Sequence, residues 1–280
     1  AEGVGTMVQR SIGGPDLESL DPFLTLDEFR IKNGFPDHPH RGFETVTLML
    51  KGHFQHEDFA GHKGRIGPGD VQWMTAGRGI VHAEMPLFLG EDEEEDAQDI
   101  WGLQLWINLP KEHKLCKPQY QEFKDERIPR WSNRKDNDIE VKVIAGESHG
   151  VRSKVYTRTP TQYLEINMKR NQVLREWIPE THEGFVYVLQ GRGRFGENGP
   201  VEGLPQQLLI LESTSASSGS PNSDEPLHMV LVTGEPCREP VFRQGPFVMA
   251  SKDELERTFR DYEEKKRGFE RAQGWKSSIG

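Results

Sequence analysis

The sequence predicts an all-β protein with two tandem β-barrels of the β-sandwich or jelly-roll type and a C-terminal α-helix. Three observations predict this fold. Short runs rich in Val, Ile, Leu and Thr alternate with turn-forming residues, the chain contains 29 Gly and 18 Pro, and the pattern appears in both halves of 280 residues. A chain of this length can bury two separate cores.

The predicted strands fall into two groups separated by a polar segment. The runs are 45–50, 70–75, 102–108 and 141–145, followed by 162–168, 184–189, 207–211 and 228–233. The segment 130–138, which follows Pro129, predicts the joint between the groups. We therefore expect an N-terminal domain at 1–129 and a C-terminal domain at 130–280 that ends in the helix.

The helix is predicted to begin at Ser251. Ser251 and Glu254 have the spacing of a capping box, and Leu255, Phe259 and Tyr262 then share one face. This apolar face should pack onto a barrel. We interpret the basic triplet at 265–267 as favourable charge near the helix C-terminus rather than as a nuclear-import signal.

Composition and charge exclude several classes of protein. The net charge of −10 disfavours direct binding to a nucleic acid, and no apolar run is long enough to cross a membrane. The two cysteines, Cys116 and Cys237, predict neither a disulfide framework nor a thiolate metal site. We expect a soluble, intracellular protein whose acidic run 91–99 and Ser-rich run 213–224 are surface loops.

Two short segments carry candidate metal ligands. His38 and His40 lie two apart in a region that is held extended, because Phe35 and His38 each precede a proline, so both imidazoles should point to one face. Glu44 has the same parity and would face inward if the strand runs unbroken. The second segment places His82 and Glu84 on one face by the same period of two.

Two such pairs on neighbouring strands can converge on one ion inside the N-terminal barrel. Imidazole and carboxylate ligands with open coordination positions favour iron, Fe2+ or Fe3+, and permit other divalent transition metals. An open position can also receive a substrate oxygen. His53, His56 and His62 lie in a polar segment and are predicted as surface or loop residues. Apolar pocket walls could come from Phe35, Phe43, Met49, Trp73 and Met74, although a place in the core is the more common role for each of these side chains.

The segment 73–86, WMTAGRGIVHAEMP, resembles the pirin family closely. LDPF at 20–23, GLQLW at 102–106, KVYTRTP at 154–160 and GPFVM at 245–249 are also similar to pirins, although 190–224 is only weakly similar. The resemblance implies two cupin domains, with one iron in the first and none in the second. It also implies the ligand set His38, His40, His82 and Glu84, which leaves Glu44 next to the ligands rather than among them.

The same resemblance implies two functions. One is cleavage of quercetin or a similar flavonol by dioxygen with release of carbon monoxide, where Glu84 would act as the catalytic base. The other is redox-dependent co-regulation of transcription with nuclear factor kappa B, which implies a monomer found in the nucleus and cytoplasm. A scaffold or interaction protein that the metal only stabilises is a third alternative.

Overall fold

The computed structural model describes residues 7–87, 100–133, 137–196, 200–211 and 225–279. The chain divides into two compact units. The first consists of 1–19, 23–125 and 237–280, and the second of 20–22 and 126–236. The predicted surface loops 91–99 and 213–224 lie outside the described residues.

The described residues are mostly strands, with one α-helix near the C-terminus. In chain order the elements are β1 Met7–Ile12, β2 Phe23–Ile31, β3 Phe35–His40, β4 Phe43–Lys51, β5 Phe54–Asp58, β6 Lys63–Ile66, β7 Val71–Thr75, β8 Ile80–Pro86, β9 Ile100–Asn108, β10 Gln119–Phe123, β11 Arg130–Ser132, β12 Ile139–Ala145, β13 Glu147–Ser148, β14 Val151–Arg152, β15 Thr161–Met168, β16 Glu183–Gln190, β17 Gly193–Phe195, β18 Val201–Gly203, β19 Leu208–Leu211, β20 Leu227–Gly234, β21 Phe242–Gln244, β22 Phe247–Met249 and α1 Lys252–Glu263. Every predicted strand run coincides with a strand, so the all-β prediction is confirmed.

The first unit contains two antiparallel sheets. The larger has the order β1-β2-β9-β4-β7-β10, and the smaller has the order β3-β8-β5-β6. Because side chains alternate along a strand, one face of the larger sheet can turn toward the smaller sheet and enclose an interior. Phe29, Met49 and Phe54 form an apolar cluster in this interior, and Phe35 of the smaller sheet packs against it.

The second unit repeats this arrangement. Its main sheet has the order β11-β12-β15-β20-β16-β19, so the run β15-β20-β16-β19 matches β2-β9-β4-β7 of the first unit in chain order and pairing. Its interior is apolar, with Leu164, Ile166, Val186 and Leu231 in one buried cluster. The repeat shows that each half of the sequence encodes the same strand arrangement.

The C-terminal segment packs in the first unit, which corrects the expectation that residues 237–280 belong to the second domain. The helix cap is as predicted, because the Ser251 side chain accepts a hydrogen bond from the Glu254 backbone N–H at 3.3 Å. The apolar face of α1 joins a cluster that includes Leu255, Phe259, Tyr262, Phe247, Met249, Phe269 and Val81 of β8. Burial of an apolar face is favourable however far apart in the sequence the two surfaces are, and this burial places the C-terminal segment on the first unit.

The basic triplet after the helix has local partners. Lys266 Nζ lies 2.9 Å from a Glu264 carboxylate oxygen, and Arg267 donates to Asp261 at 2.8 Å. Both contacts lie at the C-terminal end of α1, where the triplet was interpreted as favourable charge. None of the described helices is long and apolar enough to cross a membrane.

Candidate metal centre

The two predicted ligand pairs lie on adjacent strands of the smaller sheet of the first unit. β3 pairs antiparallel with β8, and His38 stands opposite His82. One ring nitrogen from each of His38, His40 and His82 lies within 4.8 Å of the others. The ring centroids of these histidines are 4.4 to 5.1 Å apart. The predicted convergence of the three histidines is therefore present.

The hydrogen bonds around these imidazoles leave ring nitrogens for an ion. His38 Nδ1 lies 2.7 Å from the Pro36 carbonyl, so Nδ1–H donates there and Nε2 keeps its lone pair. His40 Nδ1 and both ring nitrogens of His82 are buried without a hydrogen-bond partner among the described residues. Buried polar atoms are almost always paired, so unpaired nitrogens that converge are the pattern expected of metal ligands.

Burial keeps these imidazoles in the form that binds metal. It lowers the pKa of His38 and lowers the pKa values of His40 and His82 well below the ordinary value, and the neighbouring histidines add to the effect at His40 and His82. A neutral imidazole has the lone pair that coordination needs. The donor set therefore fits a divalent transition ion.

Glu84 lies at the edge of the histidine cluster. Its Oε2 is 3.9 Å from His82 Nε2 and accepts a hydrogen bond from Gln104 Nε2 at 3.3 Å. Burial raises the pKa of the Glu84 carboxyl, and the nearby His56 and the Gln104 amide act in the opposite direction. A bound cation would favour the carboxylate form further. The geometry allows Glu84 to act as the fourth ligand, as the family resemblance implies.

Glu44 and Trp73 do not surround the histidines, which corrects the expectation for both. Gly42 has a φ of +90°, and a Cβ there would lie 1.9 Å from the Val248 carbonyl oxygen, so the chain turns sharply between β3 and β4. The strand is thus broken, and Phe43 rather than Glu44 faces His40, with ring centroids 5.2 Å apart. On the opposite face, the Glu44 carboxylate accepts hydrogen bonds from Trp73 Nε1 at 3.0 Å and Thr75 Oγ1 at 2.6 Å.

The other predicted pocket residues divide into two groups. Phe35 lies beside His38, with ring centroids 6.4 Å apart, and Phe43 lies beside His40 as described. Met49 belongs to the Phe29 cluster, and Met74 packs with Ala76 and Ile80, so both methionines are core residues.

Trp106 is a pocket residue that sequence reasoning missed. Its ring lies 5.3 Å from His40 and 4.5 Å from Phe43, and the Arg243 guanidinium lies 4.9 Å above it. Trp106 and Gln104 share one face of β9 by alternation. That spacing is visible in the sequence, but which face of β9 turns inward is not.

His56 was expected on the surface, and this expectation was wrong. It lies on β5, opposite Glu84 in the strand ladder, and only 4% of its surface is exposed. Its ring stacks on Tyr120 at 5.5 Å, and Nε2 contacts the Glu122 carboxylate. No apolar alternation marks this strand in the sequence, because four of its five residues are polar and both of its faces are largely buried.

Arg41 connects the ligand strands to the C-terminal segment. It follows His40 directly and is 2% exposed. Its Nε donates to the Arg78 carbonyl at 2.7 Å, and its two Nη atoms donate to Asp261 at 3.0 Å, Thr258 at 3.2 Å and the Arg267 carbonyl at 2.6 Å. The guanidinium also stacks on Phe269 at 4.5 Å. Arg41, in the first ligand segment, thus bonds both to the second ligand segment, through the Arg78 carbonyl, and to the segment around α1.

Comparison with known proteins identifies the family. The Pirin family model matches residues 5–107, and the model for the Pirin C-terminal cupin domain matches 163–268. A pirin-like protein of Solanum lycopersicum is 48% identical over 99% of this chain and 92% of its own length, and Pirin of Homo sapiens is 47% identical over 100% and 94%.

A crystal structure of quercetin 2,3-dioxygenase from Acinetobacter baumannii has the same fold. Its TM-score is 0.77 at 32% identity, with 87% of this chain and 85% of that chain covered. The repeated strand arrangement, the histidine cluster on β3 and β8 and matches over both domains agree with one another. This chain therefore belongs to the pirin family, with two cupin domains.

Proposed function

We propose that this protein is a metal-dependent dioxygenase that cleaves quercetin or a related flavonol with dioxygen and releases carbon monoxide. The observation that supports the proposal most is the convergence of three imidazoles, two of them buried, whose ring nitrogens lie within 4.8 Å of one another, with the Glu84 carboxylate beside them. This donor set suits iron best, one ion per chain. A relative of known structure that is 32% identical bears the name quercetin 2,3-dioxygenase, which supports the reaction type.

Bound iron would supply Lewis acidity and one-electron chemistry toward dioxygen. The residues of the chain would hold the substrate and exclude water. Phe35, Phe43 and Trp106 give a flat aromatic substrate apolar walls and exclude water. His38 and Trp106 are only partly buried, so this side of the site is the open one.

Two charged side chains complete the proposed site. Glu84 is the catalytic base that takes the proton of the flavonol hydroxyl, because it is a buried carboxyl at the edge of the ligand cluster. Arg243, stacked on Trp106, places positive charge near the resulting flavonol anion.

The test is turnover by the iron-loaded protein. The full chain is loaded with iron(II) without oxygen and then exposed to air with quercetin, and loss of quercetin, oxygen uptake and carbon monoxide are measured. We expect all three with the native chain and with His113→Ala, which changes an exposed histidine, and none with His82→Ala. A native sample that holds one iron per chain and consumes no flavonol would contradict the proposal.

A second candidate function is redox-dependent co-regulation of nuclear factor kappa B, by a monomer present in the nucleus and cytoplasm. The observation that favours it is Arg41, which ties the residue after His40 to α1. A change in the oxidation state of iron at the ligands could then alter the surface around the helix. The net charge of −10 suits a partner that bears a basic DNA-binding face.

This second function is tested by binding rather than by turnover. Affinity for the partner is titrated with the ferrous and the ferric protein, in the native chain and in Arg41→Lys. We expect the two oxidation states to differ in the native chain and the difference to shrink in Arg41→Lys. Equal affinities in the native chain would remove this function and leave the dioxygenase proposal untouched.

A further inference from the structure

The second unit has a large cavity of its own. Its volume is about 790 Å³, and residues of β13, β14, the start of β15 and the segment 176–182 line it. Among the lining residues are Ser148, His149, Gln162, Glu176, Trp177 and His182. The proposed dioxygenase and regulatory functions use none of these residues.

The cavity lies at one end of the interior of the second barrel. Gln162 has the same parity on β15 as Leu164 and Ile166, and Thr233 has the same parity on β20 as Leu231. Those apolar residues belong to the buried cluster of this barrel. The interior is therefore filled by apolar side chains over most of its length and becomes polar at the cavity.

A chain of hydrogen bonds fixes one acceptor at the cavity. Gln162 Nε2 donates to the carbonyls of Glu147 at 2.9 Å and Trp177 at 3.2 Å, so its Oε1 is the atom that accepts from Thr233 Oγ1 at 3.3 Å. Thr233 has a single hydroxyl proton, so His182 Nδ1, 3.0 Å away, must donate to the hydroxyl oxygen. His182 Nε2 is left as an acceptor.

Glu176 provides a group that can donate as well as accept. It is 6% exposed, and its Oε2 accepts a hydrogen bond from Ser148 Oγ at 2.7 Å. Burial raises the pKa of the Glu176 carboxyl to about 7, against the opposing effects of the Ser148 hydroxyl and the Trp177 backbone N–H. A large fraction of this carboxyl is therefore protonated near neutral pH and can donate to a ligand oxygen.

The remaining lining favours a flat, uncharged ligand. Trp177 is 66% exposed, which is unusual for so large an apolar ring and is common where a ring ligand stacks. The Arg152 guanidinium at the cavity is paired with Glu147 at 2.9 Å, and burial lowers the pKa values of the lining His149 and His182, so the described lining offers an anion little positive charge. A carboxylate ligand would also meet the Glu176 carboxyl.

We propose that this cavity is a second small-molecule site, which binds a neutral hydroxylated aromatic ring. The ring stacks on the Trp177 indole, one hydroxyl donates to His182 Nε2, and another oxygen accepts from the Glu176 carboxyl. The site is separate from the metal centre and does not depend on it.

The test uses phloroglucinol, a neutral trihydroxybenzene, titrated into the full metal-loaded chain by calorimetry at pH 7. We expect saturable binding that weakens about tenfold in His182→Ala, the loss of about one buried hydrogen bond. Trp177→Ala changes an exposed residue, so it should fold normally and also weaken binding. Benzoate, with the same ring and a negative charge, should bind at least about tenfold more weakly.

The variant His82→Ala separates this site from the metal centre. Phloroglucinol should bind that variant within about twofold of the native affinity, since the expected contacts lie wholly in the second unit. Three results would overturn the proposal: no saturable binding, binding lost in His82→Ala but kept in Trp177→Ala and His182→Ala, or benzoate binding as tightly as phloroglucinol.

Discussion

Replacing Arg41 with alanine should destabilise the first unit by about 4 kcal/mol. The guanidinium makes four hydrogen bonds, to the Arg78 carbonyl, Thr258, Asp261 and the Arg267 carbonyl. At a net ~1 kcal/mol for each bond this gives about 4 kcal/mol. Removing one partner of a buried ion pair costs roughly 3–5 kcal/mol by itself when the other charge is left without a partner. Asp261 keeps its contact with Arg267, so the lower end of this range applies. Both estimates describe the same loss and are not additive.

The assay is the free energy of unfolding from urea denaturation, measured for Arg41→Ala and Arg41→Lys. Lysine keeps the charge but cannot reproduce the forked hydrogen bonds, so it should lose about half as much. Arg152→Ala is the matched control, because Arg152 is exposed and its pair with Glu147 should contribute no more than about 1 kcal/mol.

Arg41→Ala and Arg41→Lys should also bind iron more weakly, because Arg41 holds the end of the strand that carries His40. A loss of stability below about 1 kcal/mol in Arg41→Ala, equal to that of the control, would refute the reasoning that the buried cation joins the ligand segments to the C-terminal segment.

Three further predictions follow from individual residues. His82→Ala should lower the metal content measured by elemental analysis from about one ion per chain to a small fraction, since structural and catalytic sites rarely tolerate loss of a ligand; unchanged content would mean that the ion binds elsewhere. Gly42→Ala should greatly reduce soluble, metal-loaded protein on expression, because a Cβ there would lie 1.9 Å from the Val248 carbonyl oxygen and the φ of +90° disfavours L residues; a normal yield with full metal would show that the turn can relax. Glu176→Gln should stabilise the second unit above pH 7 by up to about 3 kcal/mol and have no effect below pH 4. The sign follows because the pKa of Glu176 is raised to about 7 in the folded state, so between about pH 4 and pH 7 the folded state binds more protons than the unfolded state and native stability falls as pH rises. Urea denaturation at several pH values measures the free energy of unfolding of both proteins. A difference between Glu176→Gln and the native chain that does not change with pH would contradict the prediction.

The sequence determined the classes of structure and of chemistry. The alternation of apolar and turn residues predicted the strands, because a strand's period of two is a local property of the backbone. The two prolines around His38 and the Gly-rich turn before His82 fixed the parity within each ligand pair, which is also local. The same holds for the helix cap at Ser251, where donor and acceptor are three residues apart.

Only the tertiary structure decided which faces meet. Parity made Glu44 a candidate that faces inward, but Gly42 turns the chain between two sheets, so Phe43 takes that place. His56 appeared to be a loop residue because polar neighbours hide a strand that is buried on both sides. Arg41 and the segment 237–280 illustrate the general reason: contacts more than two hundred residues apart depend on the burial of whole surfaces, and no local pattern in the chain encodes them.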